Sequence, residues 1–333
     1  MKKYIVFTII LFLLGVSGAT YYQSLDADTL SGDALYADEE EVYVYETEVD
    51  GPQDCASFEV YDAEQKVCSF ECRSEEECSD IEDSIDEEFA SWTDELEKNK
   101  TPIIENNSIT DAKIVATYAV NPTENILLQT GVDDQKYRDI WNSIKNMSPD
   151  ALSNTYIETY EVFNEPNDDT LAFVDDEDGN GQWRIGINLA GYTSSTEAEN
   201  KTTIIHELGH IISLNTSQVN PEVENCPNLK LQEGCANATA AINAFWHTYW
   251  KGLSNPAFDE STFVTEYATT DVTEDFAETF AFFVLGKESS LGDTIKDQKI
   301  RLFYSFPELV AIREEMREAL SKGVIRKRSA TVQ

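Results

Sequence analysis

The sequence predicts a protein of the α+β class: a mixed, twisted sheet with a long helix beside it, then a helical C-terminal lobe, with a small disulfide-bonded module in front. Two observations predict this class. Strand-like runs dominate the first half of the region 101–325, and helical periodicity dominates its second half. Four of the six cysteines cluster within residues 55–78, and so short a segment needs bridges because it cannot bury a sufficient core.

The first 19 residues have the layout of a secretory signal peptide. Two lysines precede an apolar run from Tyr4 to Leu14, and small residues follow up to Ala19. We therefore expect a cleaved signal peptide at 1–19 and a secreted or extracytoplasmic mature protein. The alternative is an uncleaved anchor helix, in which case the chain would meet a membrane only through this segment.

Acidic residues are concentrated behind this segment. The net charge of the 333 residues is −39, and residues 21–100 hold 27 acidic and only 4 basic side chains. Phosphate binding requires a basic surface, so we expect no nucleic-acid partner. The stretch 20–51 has no clear period, and its composition predicts an acidic disordered linker.

Six cysteines, an even number, indicate an oxidising compartment. Residues 52–80 are predicted to form a cysteine-rich module held by two disulfides. Its cysteines, which allow three pairings, are Cys55, Cys68, Cys72 and Cys78. A zinc knuckle is the alternative, but paired C-x2-C spacings and a nearby histidine are absent from the sequence there. Cys226 and Cys235 are predicted to form the third bridge.

A connecting helix is predicted at 81–100. Apolar residues beginning with Ile81, Ile85 and Phe89 recur at spacings of three and four, which is the pattern of an amphipathic helix. We expect this helix to join the module to the main domain or to pack on it.

The main domain is predicted at 101–325, with a basic C-terminal tail at 326–333. Its five strand-like runs are 112–120, 125–131, 154–163, 170–176 and 182–192. A helix with one apolar face is expected at 133–147. The stretch DDEDGNGQW, between the last two runs, begins like an EF-hand loop, but Ile187 stands where the bidentate acid is required. A glycine-rich hairpin turn is therefore predicted there.

The helix predicted at 194–215 carries the motif HELGH. His206 and His210 are four residues apart, so they share one helix face and could bind the same metal ion. Glu207 is turned by about 100° from His206, beside the metal, where it could hold a water molecule. This pattern is typical of two zinc ligands plus a general base. An amphipathic helix with incidental histidines is the alternative.

Gly209 lies inside this motif although glycine costs a helix about 1 kcal/mol relative to alanine. We expect close approach of another backbone at this position. Further helices are predicted at 236–252, 272–286 and 306–321.

A catalytic zinc usually has three protein ligands, so a third is required. One candidate is His247, in an aromatic-rich helix, where a half-buried structural histidine is the simpler interpretation. Glu274 and Glu278 are the other candidates, because carboxylates in an otherwise apolar helix are costly unless paired or metal-bound. Their structural alternatives are a capping box between Asp271 and Glu274 and a solvent-facing Glu278.

The segments HELGH and YATTDVTEDFAETF together resemble the gluzincin metallopeptidases, in particular their lethal-factor-like branch. Tyr267 lies seven residues before Glu274, and the run E-x-F-A-E-x-F is intact. The resemblance covers residues 202–286 and implies a zincin-like catalytic domain with Zn²⁺ as its cofactor. It implies that Glu274 is the third zinc ligand, that Glu278 holds a ligand histidine, and that Tyr267 helps stabilise the tetrahedral intermediate.

The expected function is that of an exported zinc endopeptidase acting on a peptide or protein substrate. Glu207 would accept a proton from the attacking water, and Tyr267 would donate to the developing oxyanion. The run 182–192 could present a strand edge to an extended substrate. The alternatives are a zinc hydrolase of a cell-wall amide and a non-catalytic envelope-binding protein on a zincin scaffold. The intact Glu207 argues against a non-catalytic scaffold.

Overall fold

A computed structural model of the chain describes the backbone of residues 44–48, 60–62, 67–71, 75–98, 113–121, 125–168, 170–176 and 179–331. The predicted signal peptide and the predicted disulfides of the cysteine-rich module lie outside the described residues or side chains.

The described chain contains ten strands and nine α-helices. The strands are β1 (Val44–Glu48), β2 (Val60–Asp62), β3 (Val67–Glu71), β4 (Ile114–Asn121), β5 (Asn125–Gly131), β6 (Ile157–Phe163), β7 (Ala172–Asp175), β8 (Trp183–Asn188), β9 (Val219–Asn220) and β10 (Cys235–Ala236). The helices are α1 (Glu75–Lys98), α2 (Gln135–Met147), α3 (Asp150–Tyr156), α4 (Leu189–Ser194), α5 (Glu197–Leu214), α6 (Ala241–Phe245), α7 (Val272–Leu285), α8 (Ile295–Phe303) and α9 (Pro307–Thr331).

The main sheet has five strands in the order β5-β4-β6-β8-β7. β6 and β8 are parallel and the other neighbours are antiparallel, so the predicted mixed sheet is confirmed. The α+β class is confirmed with it. The prediction that the run 182–192 presents a sheet edge is wrong, because β8 is paired on both sides. The strand at that end of the sheet is β7.

The turn between β7 and β8 is the predicted glycine-rich hairpin. The carboxylate of Asp176 accepts hydrogen bonds from the backbone N–H groups of Asn180 and Gly181, at 3.0 and 2.8 Å. Gly179 and Gly181 have positive φ angles of 62° and 80°, which glycine adopts without steric cost. The Asp176 side chain therefore serves the turn itself.

A smaller sheet, β1-β3-β2, is antiparallel throughout. β1 lies within the segment 20–51 that was predicted to be a linker, and Val44–Glu48 pairs with Val67–Glu71 of β3. This part of the predicted linker is therefore a strand.

α1 packs on the helices of the main domain. Phe89 and Trp92 of α1 are buried in the main core, and the Nζ atom of Lys201 lies 4.5 Å from the centre of the Trp92 ring. Arg317 of α9 pairs with Asp86 of α1 at 2.6 Å. Within the described residues, no helix has both the length and the apolar character needed to cross a bilayer.

α5 packs against α7, and Gly209 lies at their point of contact. A Cβ atom on Gly209 would lie 3.1 Å from the Cα of Ala277 and 3.3 Å from Cδ1 of Phe280. The expected close approach of another backbone is therefore present, and it brings the HELGH motif next to the first two turns of α7.

The segment after α5 differs most from its prediction. The helix expected at 236–252 is reduced to α6 followed by a π-helical turn, Trp246–Trp250. Its first residue belongs to β10, which pairs with β9. The predicted Cys226–Cys235 disulfide is present and closes the loop before β10.

Candidate metal centre

His206 and His210 lie on consecutive turns of α5, and both side chains are buried. Their Nε2 atoms are 3.0 Å apart. The helix begins with a capping box, in which the Thr196 side chain accepts from the Glu199 backbone and the Glu199 side chain accepts from the Thr196 backbone. The start of α5 is therefore fixed. The short distance between the two Nε2 atoms means that both imidazoles point towards the same position.

Glu274 reaches the same place from the first turn of α7. Its Oε2 atom lies 3.2 Å from Nε2 of His206 and 3.4 Å from Nε2 of His210. Asp271 caps this helix by accepting from the backbone N–H groups of Thr273 and Glu274, at 2.7 and 3.1 Å. Asp271 therefore caps the helix, as the capping-box alternative requires. The Glu274 carboxylate, however, contacts the two histidines.

These three side chains form a buried group that could hold a metal ion. Their nearest ligand atoms all lie within 4.8 Å of one another. Two imidazole nitrogens and one carboxylate oxygen are a donor set typical of zinc and of other transition metals. Buried polar atoms are costly unless they are paired or bind an ion, so their convergence is consistent with a metal site.

Glu278 lies one turn after Glu274 and contacts the far side of the first histidine. Its Oε1 atom is 2.7 Å from Nδ1 of His206. Its Oε2 atom accepts a 2.7 Å hydrogen bond from the hydroxyl of Thr265. The side chain is buried, so the solvent-facing alternative for Glu278 is wrong.

The pKa values of the group reflect mutual stabilisation of opposite charges. Burial favours the neutral imidazole, but the carboxylates of Glu274 and Glu278 outweigh it and raise the pKa of His206 well above its ordinary value. Burial also opposes the charge on His210, and Glu274 nevertheless raises its pKa. Burial alone would raise the pKa of Glu274, yet the two histidines lower it strongly. A bound cation would take over the role that these protons play.

Glu207 and Tyr267, the two predicted catalytic residues, border the group. Glu207 follows His206 directly on α5 and is fully buried. Tyr267 begins a single 3-10 turn, Tyr267–Thr269, that precedes α7. Its ring centre lies 5.9 Å from that of His206. All six residues predicted for the site therefore lie on α5, on α7 or on the turn before α7.

His247, the other candidate for third ligand, lies elsewhere. It is an exposed residue of the π-helical turn, and its Nε2 atom is 3.2 Å from Nζ of Lys251. The expected half-buried setting is thus also incorrect.

Sequence reasoning missed two residues near the group, Thr265 and Glu233. Glu233 belongs to the disulfide-closed loop, where Leu231 and Gly234 exchange backbone hydrogen bonds. Burial raises the pKa of Glu233, although a backbone hydrogen bond and the nearby His210 oppose the rise. Its position between two cysteines predicted to pair was the available signal. Thr265 had no sequence signal, because its role depends on how the turn folds back onto α7.

Comparisons of the chain with protein-family models, with curated proteins and with solved structures found no significant match.

Proposed function

We propose that this protein is an exported zinc endopeptidase with a zincin-like catalytic domain of the gluzincin type. The buried group of His206, His210 and Glu274 is the observation that supports this function most directly. Glu278 supports it further, because a ligand histidine characteristically donates its other ring N–H to a carboxylate. The proposed export rests on the signal-like residues 1–19 and the even number of cysteines.

His206, His210 and Glu274 would hold the zinc, and Glu278 would keep the His206 ring oriented through Nδ1. When bound, zinc supplies a Lewis acid that polarises a carbonyl oxygen and acidifies a water molecule. Glu207 accepts the proton of the attacking water and passes it to the leaving amine. The Tyr267 hydroxyl donates a hydrogen bond to the oxyanion that develops on the scissile carbonyl.

A peptide substrate suits the edge of the main sheet that packs on the helix carrying both histidines. β7 packs against α5, and in the described chain its only strand partner is β8. Among the described strands, the other edge of β7 has no neighbour, so an extended segment could pair with its backbone there. We propose that β7, and not β8, receives the substrate strand.

The test combines metal analysis of the purified full chain with digestion of a mixed peptide library. We expect about one zinc per chain, cleavage of internal peptide bonds, loss of cleavage with a chelator, and recovery when zinc is restored. The matched control is Glu207→Gln, which should keep the zinc and the fold but lose cleavage, because only the proton acceptor is removed. Undiminished cleavage by Glu207→Gln, or a wild-type chain that binds zinc but cleaves only a cell-wall amide, would overturn the proposed endopeptidase.

A further inference from the structure

The hydroxyl of Thr265 connects two parts of the candidate metal centre. It donates a 2.7 Å hydrogen bond to Oε2 of Glu278 and accepts a 3.2 Å hydrogen bond from the backbone N–H of Ala268. Ala268 is the residue after Tyr267 and is fully buried. A single hydroxyl therefore joins the turn that carries Tyr267 to the carboxylate that holds His206.

Each of these bonds limits the freedom of its neighbour. The Glu278 carboxylate has Oε1 at Nδ1 of His206 and Oε2 at the Thr265 hydroxyl, so both of its oxygens are held and its plane is set. Hydrogen bonds to a charged acceptor are stronger than neutral ones. The backbone N–H of Ala268 can only donate, so it takes a lone pair of the Thr265 hydroxyl, and the single hydroxyl proton goes to Glu278.

We propose that Thr265 is a positioning residue, which orients Glu278 for the ligand His206 and fixes the Tyr267 turn to the same carboxylate. This inference rests on the proposed zinc site. Hydrogen bonds through Thr265 would then connect the zinc ligand His206, held by Glu278, to the turn that carries Tyr267. Loss of the hydroxyl should weaken zinc binding through Glu278 and should lower turnover through Tyr267.

The primary test measures zinc affinity, by competition with a chromophoric chelator, for Thr265→Val and Thr265→Ser. Valine keeps the shape and removes the hydroxyl, whereas serine keeps the hydroxyl. We expect Thr265→Val to bind zinc about three- to tenfold more weakly, less than the 10–100-fold typical for losing the direct partner of a ligand histidine. Thr265→Ser should bind like wild type.

Thr269→Val is the matched control. Its hydroxyl donates to the carbonyl of Glu266 at 2.8 Å, within the same turn, so its removal should leave zinc affinity unchanged. A double variant separates positioning from general destabilisation: in a Glu278→Ala background, Thr265→Val should cause no further loss of zinc affinity. Thermal unfolding of each variant in a chelator shows whether the fold persists, and Thr265→Ala replaces Thr265→Val if valine disrupts the turn.

The outcomes separate this inference from the proposed function. A wild-type chain that binds no zinc overturns the zinc site and the role of Thr265 together. Zinc binding that is equal in wild type, Thr265→Val and Thr269→Val overturns Thr265 alone. Equal losses in Thr265→Val and Thr265→Ser, or a full loss that persists in the Glu278→Ala background, would also contradict a role exerted by the hydroxyl through Glu278.

Discussion

Glu278 and His206 form a buried pair in which Oε1 of the glutamate lies 2.7 Å from Nδ1 of the imidazole. Nε2 of the same ring lies 3.2 Å from Oε2 of Glu274. A carboxylate that accepts the Nδ1 proton leaves Nε2 with the free lone pair that a metal requires. Glu274 and Glu278 therefore contact opposite sides of one ring, and substitutions should separate their roles.

Removal of Glu274 should be far more costly for zinc binding than removal of Glu278. Glu274→Ala takes away one of three candidate ligand atoms, so zinc affinity should fall by orders of magnitude. Glu278→Ala removes only the partner of a ligand histidine and should cost roughly 10–100-fold. A zinc-competition titration of both variants, with unfolding followed in excess metal, measures the difference. Equal affinity in wild type and Glu274→Ala would exclude Glu274 as a ligand.

Zinc affinity should rise with pH until the pH reaches the raised pKa of His206. The pKa of His206 is raised above its ordinary value of 6.5 by Glu274 and Glu278 against the effect of burial. Zinc requires the neutral ring, so below the raised pKa it must displace a proton, and affinity should rise by up to about tenfold per pH unit for each proton displaced. Titrations at several pH values test this. Glu278→Ala should shift the rise to lower pH, and a flat profile would contradict the expectation.

The same shift gives the stability of the metal-free protein the opposite pH dependence. A histidine whose pKa is raised on folding stabilises the folded state while it is protonated in both states, below about 6.5. This contribution is lost as the pH rises through the raised value for His206. Unfolding in a chelator should therefore require less denaturant at higher pH, whereas unfolding in excess zinc should not show this decline.

The two histidines could be predicted from sequence because a helix places residues four apart on one face, whatever the rest of the fold does. The role of Glu274 could not be predicted from helical periodicity alone. It lies 64 residues after His210, and its approach depends on the packing of α7 against Gly209. A single sequence contains no local signal for that distance, so the assignment depended on the resemblance of the second motif.

Where tertiary pairing competes with local pattern, the sequence prediction failed. The run 182–192 has a strand pattern, but which strands flank β8 is a property of the whole sheet. The helix predicted at 236–252 begins late because Cys235–Ala236 pairs with β9 and is tied to Cys226. Thr265 was missed because it reaches Glu278 from a loop, whose path has no periodic signal in the sequence.

Gly209→Ala should destabilise the protein although alanine favours helices. The gain in helix propensity is about 1 kcal/mol, but the new Cβ would lie 3.1 Å from Cα of Ala277, which is backbone and cannot rotate away. Overpacking of a tight core contact costs about 1–3 kcal/mol. We expect net destabilisation and weaker zinc binding, because α7 carries Glu274 and must move.

Gly323→Ala is the matched control for this substitution. Gly323 lies in α9, where the one described atom that a Cβ would approach is Nζ of Lys201, at 3.7 Å. The propensity gain should then appear alone, as stabilisation of up to about 1 kcal/mol with unchanged zinc affinity. Denaturant unfolding and zinc competition on both variants give the comparison. Stabilisation of similar size in the two variants would show that the contact with Ala277 relaxes freely.

Lys299 and Asp275 form a buried ion pair beside the metal centre, with Nζ and Oδ2 2.6 Å apart. The same Oδ2 accepts a 2.6 Å hydrogen bond from Nε1 of Trp250, and the Nζ of Lys299 lies 3.8 Å from the centre of the Phe263 ring. Burial raises the pKa of Asp275 to about 6, against the lowering effect of Lys299. Burial likewise lowers the pKa of Lys299.

Lys299→Met should destabilise the protein by about 3–5 kcal/mol near pH 8, because it leaves a buried carboxylate without its cation. Without the lysine the pKa of Asp275 should rise further. An acid with a raised pKa in the folded state favours folding while it is protonated, and this stability is lost as the pH rises through the raised pKa. The cost of Lys299→Met should therefore be smaller at pH 5 than at pH 8. Denaturant unfolding at both pH values measures this.

The control is Lys299→Met with Asp275→Asn, which removes the charge and should recover much of the loss at pH 8. A cost that is the same at both pH values, and unchanged by Asp275→Asn, would mean that lost packing of the lysine stem, and not the unpaired carboxylate, causes the destabilisation.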